Sequence, residues 1–254
     1  MSTQQFSLWY NKYCKFYLSK ETTASMANYY QILVGPNGLE MYLGSEKQLA
    51  NMIKDYQYPI YHVFHSLTNR DVQNWLNRHE AQATANDQPL DGVTYCWCDG
   101  GTWIHAQANH QTVDTDPSAW GYAIDLPTEP RQLIHQSGAE FGRTNNYMEL
   151  SAVINCLKRL IELHKQHDYI VMYLDSKYIY SAYTERWING WKKNNWTGKS
   201  DLKNKELWQE LDQLKSQFSD LELCWVHGHA ESEGNQLVHE ICQNTMTKLS
   251  ESHA

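Results

Sequence analysis

Residues 169 to 174, Tyr-Ile-Val-Met-Tyr-Leu, are an unbroken apolar run rich in β-branched and aromatic side chains. A run of that length and composition fits a strand buried on both faces of a parallel sheet. Asp175 follows at once, so it stands at the C-terminal end of a strand, where open α/β sheets place their ligand-binding groups. A single aspartate there also reads as the cap of the helix that starts near Tyr178. Its companions decide between the two.

The chain has 254 residues, enough for two domains with cores of their own. Its formal net charge of -8 excludes polyanion binding by the whole surface, so any nucleic-acid contact has to rest on a local basic patch. The lysines from Lys192 to Lys205 form such a patch; the alternative is a solvated charged loop. The six cysteines show neither a paired zinc spacing nor a dense disulfide framework, and several lie in apolar runs, which points to free thiols and a cytoplasmic location. No stretch approaches the apolar length of a membrane span, and Lys12 and Lys15 interrupt the N-terminal region where a signal's apolar core would lie.

Along the chain, residues 1–27 mix aromatic and polar types without a clear assignment. Residues 28–78 then read as a small α+β module. In it, Tyr29 to Val34 and Met41 to Leu43 are strands around a Pro-Asn-Gly turn, a helix covers about Ser45 to Tyr56, a third strand covers Ile60 to Phe64, and a helix runs through Val72, Trp75 and Leu76. Residues 79–90 are small and polar and read as a linker. In residues 91–250 the expected order is three strands, a helix, a strand, helices, a strand and a final helix. The first of these strands, Val93 to Cys98, ends in Asp99. Thr144 to Leu150 opens a helix whose apolar stripe continues through Val153, Ile154, Leu157 and Leu160, and Glu149 falls at the margin of that stripe.

Two aspartates that end separate strands and a glutamate at the start of a packed helix converge into a group of oxygen ligands. Without a counter-charge they repel and raise one another's pKa values. A hard divalent cation resolves that repulsion, and paired ions suit phosphate hydrolysis.

These segments are recognisable together. Asp99-Gly-Gly, Thr144-Asn-Asn-x-Met-Glu149-Leu, Asp175-Ser, Trp187-Ile-x-x-Trp-Lys-Lys-x-x-Trp196, Lys203-Asn204-x-x-Leu-Trp208 and Trp225-Val-x-Gly-His229-Ala resemble, in order, the motifs of type 1 ribonuclease H. The resemblance implies a ribonuclease H-like five-stranded mixed sheet flanked by helices. It also implies an endonuclease that hydrolyses the RNA strand of RNA/DNA hybrids with two Mg²⁺ or Mn²⁺ ions per site, leaving 5′-phosphate and 3′-hydroxyl ends. Asp99, Glu149 and Asp175 match the first three metal-binding acids, and His229 matches a histidine of proton transfer or product release, the alternative being an exposed loop histidine. Asn145 and Asn146 match residues that read the minor groove of the hybrid. Thr144 and Asn204 match a pocket for a DNA-strand phosphate, and Trp187 matches a residue that packs on DNA sugar. Lys177 stands at a position of backbone contact, and Lys192 and Lys193 belong to the basic protrusion, in which Trp191 and Trp196 are expected to pack rather than stack on bases.

The chain departs from that pattern twice. The family's fourth acid falls four residues after the Asn of Gly-Asn, and counting from Asn235 gives His239. We take His239 as a nitrogen ligand in its place. Glu240, the next residue, is rotated about 100° around a helix and reads as a poor substitute. The loss of an acid opens an alternative, a catalytically impaired hybrid-binding protein with the same fold. Residues 28–78 resemble the small hybrid-binding module that precedes many cellular ribonucleases H. Here Ser45 and His62-Val63 stand where such modules carry an aromatic residue and two basic ones, so weak hybrid binding with a retained fold is expected.

Overall fold

In the computed structural model the chain divides into two compact units, Met1–Leu90 and Asp91–Ala254. The structure describes residues 15–18, 30–35, 38–43, 46–54, 56–64, 74–76, 79, 88–104, 111–197, 201–226 and 232–253.

In the first unit a four-stranded sheet has the order β1-β3-β2-β4, made of β1 (Lys15–Leu18), β2 (Tyr30–Gly35), β3 (Gly38–Leu43) and β4 (Ile60–Phe64). β2 and β3 form an antiparallel hairpin whose register closes at Gly35↔Gly38. Helix α1 (Glu46–Ile53) follows and ends before the expected Tyr56. It buries Leu49, Ala50 and Ile53, and Ile60, Tyr61 and Phe64 of β4 are buried with Trp75 and Leu76. β1 was not expected. It comes from within residues 1–27 and pairs parallel to β3 at the sheet edge, where four residues give no readable alternation. His62 lies 4.5 Å from Phe64 and 6.2 Å from Trp75 between ring centroids, so it is part of an aromatic cluster. Ser45 lies outside the described residues.

The second unit is a five-stranded mixed sheet of order β7-β6-β5-β8-β9. β5 (Thr94–Thr102), β6 (Pro117–Leu126) and β7 (Gln132–Phe141) form an antiparallel meander; β8 (Ile170–Leu174) joins β5 in parallel, and β9 (Leu221–Trp225) joins β8 in parallel. The helices are α2 (Asn145–Glu162), α3 (Lys177–Thr184), α4 (Trp187–Lys193), α5 (Lys205–Lys215) and α6 (Glu233–Glu251). Every residue of β8 is buried, as its unbroken apolar run requires of a central strand.

Alternation along the strands divides the packing between two faces. On one, Cys96, Cys98, Ile170, Met172 and Leu174 join the stripe of α2 (Val153, Ile154, Leu157 and Leu160) and Trp208 and Leu211 of α5 in a single core. On the other, Tyr95, Trp97 and Tyr173 stack, with Trp97 and Tyr173 centroids 5.6 Å apart, and α6 lays Cys242 and Met246 against Ala119. Two glycines permit close approaches. A Cβ on Gly100 would lie 2.3 Å from the backbone carbonyl carbon of Met148, and one on Gly234 would lie 2.1 Å from the Trp97 ring. The first brings the start of α2 against β5, and the second brings the start of α6 against the same strand.

β5 does not end at Cys98. Its parallel pairing with β8 stops at Cys98↔Leu174, but its antiparallel pairing with β6 continues to Thr102↔Ser118. Asp99 therefore lies inside a strand, at the point where one of its two neighbours has finished.

Candidate active site

Asp99 and Asp175 each take the first position after the last paired residues of two adjacent parallel strands. Asp99 Oδ1 accepts the Gly100 N–H at 2.8 Å, and its Oδ2 lies 3.1 Å from Nδ1 of His239 on α6. The Asp175 carbonyl accepts the indole N–H of Trp225 at 2.9 Å, and its neighbour Leu174 accepts the Val226 N–H at 2.8 Å, so the end of β8 is fixed from β9. Glu149 comes from the opposite layer, one turn into α2, brought close by the bare Cα of Gly100. Its Oε2 accepts a short hydrogen bond from the hydroxyl of Ser176. Ser176 also caps α3, accepting the Ile179 N–H at 3.5 Å.

The electrostatics of this group are those of like charges in a half-dry place. Burial pushes the Glu149 carboxyl up to about 7, with Asp175 and Asp99 adding to the rise and the Ser176 hydrogen bond opposing it. Burial also raises Asp175 to about 6, with the Asp99 charge adding and His239 opposing. Such carboxylates are stabilised when a cation neutralises them, and oxygen donors suit a hard divalent ion. The donor chemistry therefore fits. Among the described residues, however, no three His, Cys, Asp or Glu side chains already stand arranged around a common point.

Asp99, Asp175 and His239 line a cleft of about 210 Å³ together with Cys98, Asn235, Gln236, Val238 and Glu240. Glu240, the exposed neighbour of His239, is part of the same lining.

The remaining expected site residues surround this centre unevenly. Asn145 and Asn146 are exposed in the first turn of α2, directly before Glu149. Thr144 caps that helix, its hydroxyl oxygen accepting the Tyr147 N–H at 3.3 Å. Asn204 adopts a left-handed conformation (φ 57°) at the start of α5, where its carbonyl accepts the Trp208 N–H at 3.0 Å. Trp187 is 37 % exposed at the start of α4 and lies 6.5 Å from Tyr178 between ring centroids. Trp191 packs edge-on to the buried Trp208 at 5.1 Å, and Trp196 lies partly buried against the same core, so both are packing residues. Lys177 is exposed with its ammonium 5.3 Å from the Trp225 ring centroid. Lys193 is exposed, but Lys192 forms an ion pair with Asp212 at 2.7 Å, which removes part of the charge attributed to the protrusion. His229 lies outside the described residues.

A mixed β7-β6-β5-β8-β9 sheet with helices flanking it and carboxylates beyond its parallel strand ends suits a protein of metal-assisted phosphate chemistry. The comparisons specify the class further. Residues 93–247 match the family model described as RNase H. The chain is 42 % identical over 123 residues to the ribonuclease H of Acidovorax sp. (strain JS42), a match covering 47 % of this chain and 78 % of that protein. It is 37 % identical over 146 residues to the ribonuclease H of Treponema denticola, covering 51 % of this chain and 90 % of that protein. Among solved structures, a type 1 RNase H described as having the type 2 active-site motif superposes with a TM-score of 0.53 at 23 % identity, covering 63 % of this chain and 75 % of that one, a likeness of fold. The chain belongs to the ribonuclease H family. That family depends on divalent metal for catalysis.

Proposed function

We propose that this protein is an endoribonuclease that hydrolyses the RNA strand of RNA/DNA hybrids, with Asp99, Glu149 and Asp175 holding two Mg²⁺ or Mn²⁺ ions and His239 completing the site. The observation that carries this reading is the meeting of Asp99, Asp175 and His239 in one cleft, with Glu149 electrostatically coupled to both aspartates, on a ribonuclease H chain. When bound, the cations supply Lewis-acid stabilisation of phosphodiester charge and make water a better nucleophile.

The protein's own side chains do the rest. Asp99 holds the His239 ring through Nδ1. Asn145 and Asn146 present amides that can hydrogen-bond base edges and the 2′-hydroxyl, the group that separates RNA from DNA. Thr144 and Asn204 receive a phosphate of the DNA strand, Trp187 offers an exposed ring to a sugar, and Lys177 and Lys193 supply sequence-independent attraction to the backbone. His229 serves proton transfer or product release.

In domain terms, residues 91–250 are the catalytic domain, 79–90 a linker, 28–78 a degenerate hybrid-binding module and 1–27 its extension. The five described cysteines are free and buried, which suits a reducing cytoplasm. Among the described residues no helix is long and apolar enough to cross a membrane.

The test is cleavage of a doubly labelled RNA/DNA hybrid by the full chain, with Mg²⁺ and separately with Mn²⁺. The expected result is cutting of the RNA strand alone, leaving 5′-phosphate ends. Hybrid binding without cleavage under either metal would overturn the reading in favour of an impaired binding protein.

A further inference from the structure

The basic patch that begins at Lys192 is partly neutralised by the fold itself. Lys192 lies in the last turn of α4, and its ammonium is 2.7 Å from Oδ2 of Asp212 on α5. Ion pairs near the surface are often weak because holding two long side chains together costs entropy. Here the adjacent contact already fixes the geometry: Trp191 packs edge-on to the buried Trp208, and Trp208 stands one helical turn before Asp212 on the same face of α5. Asp212 is the more sheltered partner, 20 % exposed against 50 % for Lys192. It also faces Lys215, whose ammonium is pushed down by burial while the charges of Glu222 and Asp212 oppose that shift.

We propose that Asp212 is a positioning residue for Lys192: it draws the ammonium onto α5, cancels its charge and so restrains the grip of the protrusion on the nucleic-acid backbone. The restraint is one of charge and not of donors, since an ammonium that gives one hydrogen bond keeps two more. A lysine gains affinity for a polyanion by displacing the cations condensed on it. Paired with a carboxylate it brings no net charge, and the carboxylate itself repels phosphate. Cut and uncut hybrid carry the same backbone, so the restraint acts on product release as well as on capture. The inference rests on the reading that this chain binds RNA/DNA hybrid through the surface that carries Trp187 and Lys193.

The test is hybrid binding by the full chain, measured by fluorescence anisotropy in EDTA, so that no cutting intervenes, across about 50–200 mM salt. Asp212→Asn and Asp212→Gln are both neutral replacements, so a folding defect in one does not silence the test, and Asp212→Glu keeps the charge. Each is also made in a Lys192→Ala background. The expected result is binding roughly fivefold tighter in the two neutral variants at about 100 mM salt, with the slope of log affinity against log salt steeper by up to about 0.9. Asp212→Glu should behave as the wild type, and the gain should shrink in the Lys192→Ala background. A purely structural role would loosen α4 and weaken binding in the neutral variants. That result, or an unchanged affinity, overturns the inference and leaves the hybrid-binding reading intact. A gain that survives undiminished without Lys192 overturns it too, because Asp212 would then act as a general repulsive charge. Failure of the wild type to bind hybrid overturns the reading and this inference with it.

Discussion

Asp99 and Asp175 are register neighbours one step beyond Cys98↔Leu174, the last pair that joins β5 to β8. Adjacent strands lie about 4.8 Å apart, so the sheet itself brings the two residues side by side. Neither builds the core. Asp99→Asn, Glu149→Gln and Asp175→Asn are therefore each expected to lower kcat by at least about 100-fold, on the order of 3 kcal/mol of transition-state stabilisation, with circular dichroism unchanged. Wild-type activity in any one of them would remove that residue from the site. The same variants should gain less thermal stability from added Mg²⁺ than the wild type.

The raised pKa of Glu149 has a direct effect on stability when metal is removed. In the folded protein the carboxyl titrates at about 7 instead of 4.5, so between those values the folded state keeps a proton that the unfolded chain has released. Stability from this group is fully present below pH 4.5 and is lost as pH rises through about 7. At about 1.4 kcal/mol per unit the upper bound is about 3 kcal/mol, reduced in practice by the partial exposure of the site. In EDTA, Glu149→Gln should exceed the wild type in melting temperature at pH 8 and lose that advantage by pH 5. Parallel pH dependences of the two proteins would refute the raised value.

Gly100 offers a different kind of test. A methyl group there would collide with the α2 backbone at Met148 and Glu149, and backbone cannot swing aside as a side chain can. Gly100→Ala should cost about 1–3 kcal/mol in urea unfolding. By moving Glu149 it should also cost on the order of 100-fold in kcat. Loss of stability without loss of activity would mean that the site tolerates displacement of the helix.

Features written as long patterns were legible in the sequence. β8 could be read because an unbroken apolar run permits few alternatives, and the order of elements in residues 91–250 followed from such runs together with the spacing of the α2 stripe. β1 was not legible, since four residues pairing parallel at an edge leave no periodic trace. Asp175 read alternatively as the cap of the following helix, but that cap is Ser176, whose second partner, Glu149, is 27 positions away in another layer, where local spacing carries no sign of it. Lys192 read as free charge because Asp212 faces it only after α4 and α5 have packed.

Truncation tests how much the first unit contributes. Residues 91–254 form a compact unit with its own sheet and core, so a fragment beginning near residue 88 is expected to fold and cut. In the first unit His62 is drawn into an aromatic cluster with Phe64 and Trp75, where its ring packs on neighbours. The fragment should therefore bind hybrid within about tenfold of the full chain, under about 1.4 kcal/mol. A larger loss of affinity in a filter-binding or anisotropy assay would show that the first unit holds a hybrid-binding surface that its sequence does not announce.

His239 carries the last prediction. Its Nδ1 lies 3.1 Å from Asp99 Oδ2, an arrangement in which a carboxylate fixes the ring. A neutral imidazole provides a donor atom but not the negative charge of the carboxylate that the family carries at this position. One ion should therefore be held more weakly, and the nitrogen should favour Mn²⁺ over Mg²⁺, because imidazole is the softer ligand and suits magnesium least. His239→Asp restores the charge. It is expected to raise activity at limiting Mg²⁺ and to reduce the ratio of Mn²⁺- to Mg²⁺-supported rates, with tighter Mg²⁺ binding by calorimetry. Glu240 on the same cleft wall provides the control: if its carboxylate already supplies the missing charge, Glu240→Gln will weaken Mg²⁺ binding and His239→Asp will change little. An unchanged metal preference in His239→Asp, together with that loss in Glu240→Gln, would transfer the fourth position from the histidine to its neighbour.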